Sequence, residues 1–197
     1  MPKTIIFDLN GVFIKSPKLS DRFRDKLGVP ESEFLPVLKE IMAQTRMPGA
    51  RDAYHYWLPY LEKWGVQLSK DEFFDFWFNA EREVPEMVGI ALELKYRGYH
   101  IIILSNNFME RAEYYAKNFS FLTEIADKVY YSWQTGFVKP DPRAYQKILE
   151  DNNLEPDECI YFDDSEENIR VAGELGIRSF LFDNVDSVRK VFAKMGI

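Results

Sequence analysis

The chain is poor in cysteine, with Cys159 alone among 197 residues, and this excludes an internal disulfide. The thiol lies in the apolar run CIYF, so it reads as a buried group of a reducing compartment and not as a nucleophile. Positive charge is also in short supply. Against 32 acidic residues stand 25 Lys and Arg, giving a formal net charge of −7. No segment supplies the basic stripe that a nucleic acid or an anionic membrane requires. Any anionic ligand must therefore be held by a local site. Long apolar runs are missing as well. YHIIILS at 99–105 is far too short to span a bilayer, and MPKTIIFDLNGV is too short for a secretory signal and carries an acid inside it. Repeats, low-complexity tracts and charge blocks are absent. The expectation is a soluble, cytoplasmic, ordered protein with no nucleic-acid or membrane partner, monomeric or homodimeric.

What is present is apolar residues, 46% of the chain, enough for a sizeable core. Four runs lack polar alternation: TIIF at 4–7, IIIL at 101–104, CIYF at 159–162 and SFLF at 179–182. Such runs are strands covered on both faces, and KVYYS at 128–132 is a weaker fifth. Helical periodicity fills 86–97 up to Gly98, 109–118, 142–152, 165–175 up to Gly176, and 185–195. The alternation predicts an α/β fold, a doubly wound Rossmann-like parallel sheet, whose ligands bind beyond the carboxyl ends of the strands. Residues 16–84 break the rhythm. They show no convincing strand and read as an all-helical cap inserted after the first strand, so that 1–15 and 85–197 form the core. In the cap, Ser69 and Glu72 have capping-box spacing, and Phe73, Phe76 and Trp77 share one face. Tyr54, Trp57, Leu58 and Leu61 share another, with Pro59 expected to kink that helix.

Three of the strand-like runs end in Phe-Asp, at Asp8, Asp163 and Asp183, and the fourth ends in Ser105-Asn106. A lone aspartate there is usually a loop or helix cap, which is the reading for Asp183. Taken singly, Ser105 could cap the next helix and Lys139 could be a solvated loop charge. Asp8 together with Asp163-Asp164, however, would place hard oxygen ligands at one edge of the sheet, a set suited to Mg2+.

In order along the chain, FDLNGV, ILSNN, GFVKPDPRAY and YFDDSEEN resemble the four motifs of the haloacid dehalogenase-like hydrolases, specifically the small phosphatases with a helical cap. The resemblance covers nearly the whole chain. It implies that Asp8 attacks phosphorus to give an aspartyl-phosphate that water then hydrolyses. Both partners are anionic, so attack needs charge neutralisation by Mg2+ and by the ammonium of Lys139. By similarity the metal is held by Asp8, the backbone carbonyl of Asn10 and Asp164, with Asp163 beside it or acting through water. Ser105 and the Asn106 backbone would hold a phosphoryl oxygen of a small phosphorylated metabolite. Asn10 departs from the pattern, because the family's phosphatases usually carry there an aspartic acid that protonates the leaving oxygen. An amide cannot do this, and general acid–base catalysis is worth roughly 10²–10⁴-fold. Substrates whose leaving group needs little protonation, such as a sugar 1-phosphate or an acyl phosphate, are then expected. His55 of the cap is a candidate substitute base, whereas His100 starts a strand at the far end of the sheet. Asn168 reads either as a site residue or as a surface polar group. Arg46 and Arg51 read as exposed arginines on a mobile turn, outside the core site. Hinges are expected near Lys15–Pro17 and Glu83–Pro85. A metal-independent 2-haloacid dehalogenase and a catalytically weak phosphate-binding or regulatory protein stand as alternatives.

Overall fold

In the computed structural model, residues 3–197 are described. The first two residues of the predicted core segment lie outside the described residues. Strand β1 (Thr4–Phe7) is followed by a tight loop and the two-residue strand β2 (Ile14–Lys15). Four helices come next: α1 (Leu19–Leu27), α2 (Glu31–Thr45), α3 (Ala53–Lys63) and α4 (Lys70–Phe78). The chain then returns through β3 (Arg82–Glu83) into α5 (Pro85–Tyr96) and β4 (His100–Ser105). The remainder is α6 (Met109–Asn118), α7 (Phe121–Ile125), β5 (Lys128–Tyr131), α8 (Ser132–Thr135), α9 (Pro142–Asn152), β6 (Cys159–Asp163), α10 (Glu166–Glu174), β7 (Arg178–Leu181) and α11 (Val185–Met195).

Five strands form one parallel sheet in the order β5-β4-β1-β6-β7, with Thr4 opposite both His100 and Cys159, and Phe7 opposite Ile103 and Phe162. Successive side chains of a strand point to opposite faces. Ile5, Phe7, Ile101, Ile103, Ile160 and Phe162 accordingly pack with Met87, Leu94, Tyr115 and Phe192, while Ile6, Ile102, Leu104 and Tyr161 pack with Tyr145, Ile148 and Val171. Burial on both faces explains why these strands carry no polar alternation. The chain leaves β1 for β4 and β5 on one side and returns to β6 and β7 on the other, which opens a crevice at the carboxyl ends of the central strands.

The four helices between β2 and β3 have an apolar centre of their own, built from Phe23, Phe34, Ile41, Trp57, Phe73, Trp77 and Phe78 and joined by Phe108. Stacked and edge-on aromatic pairs fill it, Phe34 on Trp57 and Trp57 on Trp77 among them. The Ser69–Glu72 capping box forms at the start of α4. Two sequence expectations are corrected here. Leu58 is exposed, because it lies about 100° around the helix from Trp57, which with Leu61 faces inward. The segment 16–84 is also not wholly helical, since its exit strand β3 pairs antiparallel with β2, Ile14 opposite Glu83 and Lys15 opposite Arg82. Entry and exit of the segment therefore run side by side.

Candidate active site

Three adjacent strands, β4, β1 and β6, deliver Ser105, Asp8 and Asp163 to the same edge. The loop after β1 is held by the Asp8 amide donating to Phe162 O and by the Phe13 and Ile14 amides donating to Leu9 O. Gly11 within it has φ +96°, and a Cβ built on it would overlap the carboxylate of Asp164. A glycine is thus required twice over, for its backbone and for the space that Asp164 occupies.

Lys139, on the loop between α8 and α9, is buried at the centre. Its Nζ donates to Asp8 Oδ1 at 2.7 Å, to Asp163 Oδ2 at 2.7 Å and to Leu104 O at 2.8 Å. All three ammonium protons are used, so its reach to a bound anion is through charge. Burial disfavours the ammonium, yet the Asp8 and Asp163 carboxylates outweigh that and hold Lys139 above the usual lysine range. Asp8 responds the other way. Burial, with Asp163 adding to it and Lys139 opposing, pushes its carboxyl up to about 6. The loop carrying Lys139 is itself clamped by Asn106, whose Nδ2 donates to Lys139 O and whose Oδ1 accepts from the Lys139 amide, both at 2.8 Å.

Asp163 is the anchor of the group. Its Oδ1 accepts from the Ser165 amide and from Asn168 Nδ2, each at 2.9 Å, and its Oδ2 accepts from Lys139 and from the Tyr161 hydroxyl. Asn168 is therefore a buried part of the site and not a surface residue. Asp164 is the most open of the three acids, and partial burial of its carboxyl together with the charge of Asp163 raises its pKa. Oxygens of Asp8, Asp163 and Asp164 lie within 4.8 Å of one another, a donor set of three hard ligands. Since Asp163 already accepts four hydrogen bonds, Asp8 and Asp164 are the two side chains better able to turn to a cation.

Asn10 sits between two hydroxyls. Its Nδ2 donates to Tyr115 Oη at 2.6 Å and its Oδ1 accepts from Ser105 Oγ at 3.4 Å. Behind Tyr115, Arg111 lies over the ring at 5.4 Å and donates through Nε (2.9 Å) and Nη2 (2.5 Å) to Glu81 Oε1. The Glu81 side chain is fully buried. Burial and the Glu81 charge, against Arg111, keep the Tyr115 phenol well above its ordinary range and so protonated. None of Glu81, Arg111 or Tyr115 had a sequence signal. Tyr115 sits at a packing position of a helix, and the other two are single charges 30 residues apart.

Arg46 corrects a further expectation. It follows the last turn of α2, is half-buried rather than exposed, and its Nε is fully buried without an acceptor among the described residues. Burial and the neighbouring Arg111 lower its pKa to about 10, with the Asp8 charge acting in the opposite sense, so it stays charged at neutral pH. Arg51 does lie on the surface, paired with His55 Nε2 at 2.9 Å, and among the described residues no side-chain bond of either joins the strand-end loops. His100 begins β4, at the opposite end from the site. Asp183 is exposed, and Cys159 is buried with its thiol raised to about 11 by burial, which leaves it inert. Among the described residues no helix is long and apolar enough to cross a membrane.

Comparison with known proteins bears on this arrangement. The chain is 23% identical to bifunctional epoxide hydrolase 2 of Sus scrofa across 98% of its own length and 38% of that protein's. It is 30% identical to the D-ribitol-5-phosphate phosphatase of Bacteroides thetaiotaomicron, over 61% of each chain. It thus spans less than two thirds of either relative. In three dimensions it resembles a HAD family enzyme of B. thetaiotaomicron, crystallised in complex with magnesium and inorganic phosphate. The TM-score is 0.79 at 25% identity, over 92% of this chain and 94% of that one. A family model describing haloacid dehalogenase-like hydrolases matches residues 2–176, which takes in every strand-end loop of the site. By that match, and by the parallel sheet that gathers those loops at one edge, the chain belongs to the haloacid dehalogenase-like hydrolases.

Proposed function

We propose that the protein is a Mg2+-dependent phosphohydrolase of a small phosphorylated metabolite, working through an aspartyl-phosphate on Asp8. The observation that carries the reading is the buried Asp8 carboxylate, fixed at 2.7 Å by Lys139 beside the acidic pair Asp163-Asp164. Support comes from the phosphatase and the magnesium–phosphate complex to which the chain is similar. A metal would be held by Asp8, Asp164 and the Asn10 carbonyl with Asp163 alongside, and it would supply positive charge against the phosphoryl oxygens.

In the first step an Asp8 oxygen forms a bond to phosphorus as the bond from phosphorus to the leaving oxygen breaks. Lys139 offsets the charge of the nucleophile, and Ser105 with the Asn106 backbone borders the phosphoryl group. In the second step a water oxygen bonds to phosphorus, the Asp8–phosphorus link breaks, and phosphate leaves with the carboxylate restored. Asn10 holds no proton to give, and its amide is engaged by Tyr115 and Ser105, so leaving oxygens that need little protonation are favoured. Residues 16–84 serve as a cap over this chemistry, with β2 and β3 as its stem and residues 1–15 and 85–197 as the catalytic core.

The test is phosphate release from a panel of phosphorylated metabolites, with Mg2+ and with EDTA, read beside intact-mass analysis after exposure to a phosphoryl donor. Metal-dependent release that is lost in Asp8→Asn is the expected outcome. Turnover of a haloacid in EDTA would favour the dehalogenase reading. Absence of both release and phosphoenzyme would leave only a phosphate-binding protein. Glucose 1-phosphate should outpace glycerol phosphate, and Asn10→Asp should raise the slower rate; equal rates for the two substrates would discard the leaving-group argument.

A further inference from the structure

A cavity of about 210 Å³ lies where the chain enters the four-helix segment, lined by Ser16, Lys18, Met42, Arg46, Trp77 and Arg111 among others. Three of its lining residues are cationic in a chain whose net charge is −7. Their commitments differ. Arg111 is spent on Glu81, and Lys18 is exposed to water. Arg46 is neither, since its Nε is buried and meets no acceptor among the described residues. An arginine after the last turn of a helix often serves only to offset the helix dipole. That role would not bury a donor away from both carbonyls and water, which ordinarily costs the equivalent of a lost hydrogen bond.

The surroundings identify what is missing. Arg46 shares the cavity with Arg111, which lies over the Tyr115 ring, and Tyr115 accepts from Asn10 two residues past Asp8, so these side chains lie between the cavity and the Asp8 loop. A guanidinium presents paired N–H groups that match two coplanar acceptor oxygens, and with Nε enclosed it is the terminal nitrogens of Arg46 that can meet them. We propose that Arg46 binds a carboxylate carried by the substrate, remote from the transferred phosphoryl group, so that the substrate class is a small phosphorylated carboxylic acid. This rests on the phosphohydrolase reading above and makes Arg46 its specificity-determining residue. The apolar part of the wall, Leu38, Met42 and Trp77, would cover the short carbon chain between the two anions.

The experiment is calorimetric binding of phosphoglycerate and of glycerol phosphate, which differ by the carboxylate, to wild-type protein and Arg46→Gln in the presence of Mg2+. Circular-dichroism melting would establish that both proteins are folded. Wild type should bind phosphoglycerate roughly tenfold or more tightly than glycerol phosphate, as expected for a charge-assisted pair. Arg46→Gln should abolish that preference while leaving glycerol phosphate binding within about twofold, and Arg46→Lys should restore part of it. Equal affinities in wild type, a preference that survives Arg46→Gln, or an equal loss for both ligands would overturn the proposal. The last result would place Arg46 on the phosphoryl group instead. Tight binding of phosphoglycerate by a protein that yields neither phosphate release nor a phosphoenzyme with any member of the panel above would defeat the phosphohydrolase reading and leave the carboxylate site standing.

Discussion

Removing the ammonium at the centre of the site, as in Lys139→Met, tests whether Asp8 and Asp163 are a charge pair held together by one cation. The variant keeps the stem and the packing but deletes three hydrogen bonds of 2.7, 2.7 and 2.8 Å from a side chain 2% exposed. Breaking a buried ion pair by removing one partner costs about 3–5 kcal/mol, because the remaining charge is left uncompensated. For a chain of this length that is a fall in melting temperature of about 6–20 °C. The loss must also depend on pH. Asp8 already has a folded-state pKa of about 6 against 3.8 for the free group, and without Lys139 it rises further. A carboxylate raised in the native state binds more protons there than in the unfolded chain, so stability falls as pH rises between the two values. Every further tenfold weakening of the Asp8 acid in the folded protein costs about 1.4 kcal/mol once the pH exceeds its native value. Urea denaturation at pH 5 and pH 8 should therefore show the deficit growing with pH, and Asp8→Asn added to Lys139→Met should recover much of it at pH 8. A deficit below about 1 kcal/mol at pH 8, or one equal at both pH values, would refute the argument.

Gly11→Ala forces a Cβ into the Asp164 carboxylate at a backbone with φ +96°, so Mg2+ affinity by calorimetry should drop about tenfold or more, and unchanged affinity would be the contrary result. Asn106→Ala removes both 2.8 Å bonds that set the Lys139 backbone, and phosphate release should slow roughly ten- to hundredfold in kcat with a smaller change in KM. Tyr115→Phe leaves the Asn10 amide donor without its 2.6 Å partner, a loss of about 1–3 kcal/mol that urea denaturation would detect and whose absence would count against the bond.

The sheet could be read from the sequence because burial on both faces removes polar residues from its strands, and because helices ending at Gly98 and Gly176 separate them. Three of the four loops of the site were legible for a related reason: those after β1, β4 and β6 follow a strand directly, so the parallel order brings Asp8, Ser105 and Asp163 together, whereas the Lys139 loop follows α8 and was legible only through its motif. Other features had no local signature. The expectation for Asn106 concerned its backbone alone, and the grip of its side chain on Lys139, a contact across 33 residues, was not foreseen. Arg46 adjoins the turn MPGA, whose composition suggests exposure, yet it is half-buried and lines one cavity with Trp77 and Arg111, residues remote from that turn in sequence. The strand Arg82–Glu83 consists of two exposed charges and exists through its pairing with Ile14–Lys15. The Glu81–Arg111–Tyr115 chain joins the end of the inserted segment to α6, and a pattern read along a single helix does not reveal such a link.

The charges of the site bear on what Asn10 leaves intact. Asp8, Asp163 and Asp164 oppose one ammonium, a surplus of two negative charges that a divalent cation balances. On the proposed mechanism, charge at phosphorus is then supplied without the side chain of residue 10, and what that side chain fails to provide is the proton for the leaving oxygen. The rate should then follow leaving-group acidity steeply, since an alkoxide must depart without assistance while a phenolate of low basicity need not. Over a series of aryl phosphates, log kcat/KM should climb as the phenol pKa falls. Asn10→Asp should flatten that line by raising the poorest substrates roughly 10²–10⁴-fold and the best ones little. The Tyr115 and Ser105 hydroxyls that now flank the amide can both donate to a carboxylate, so the substitution introduces no unpaired group. A line already flat in the native protein would mean that another residue delivers the proton, and the exposed His55, paired with Arg51, has no bond that would carry it there.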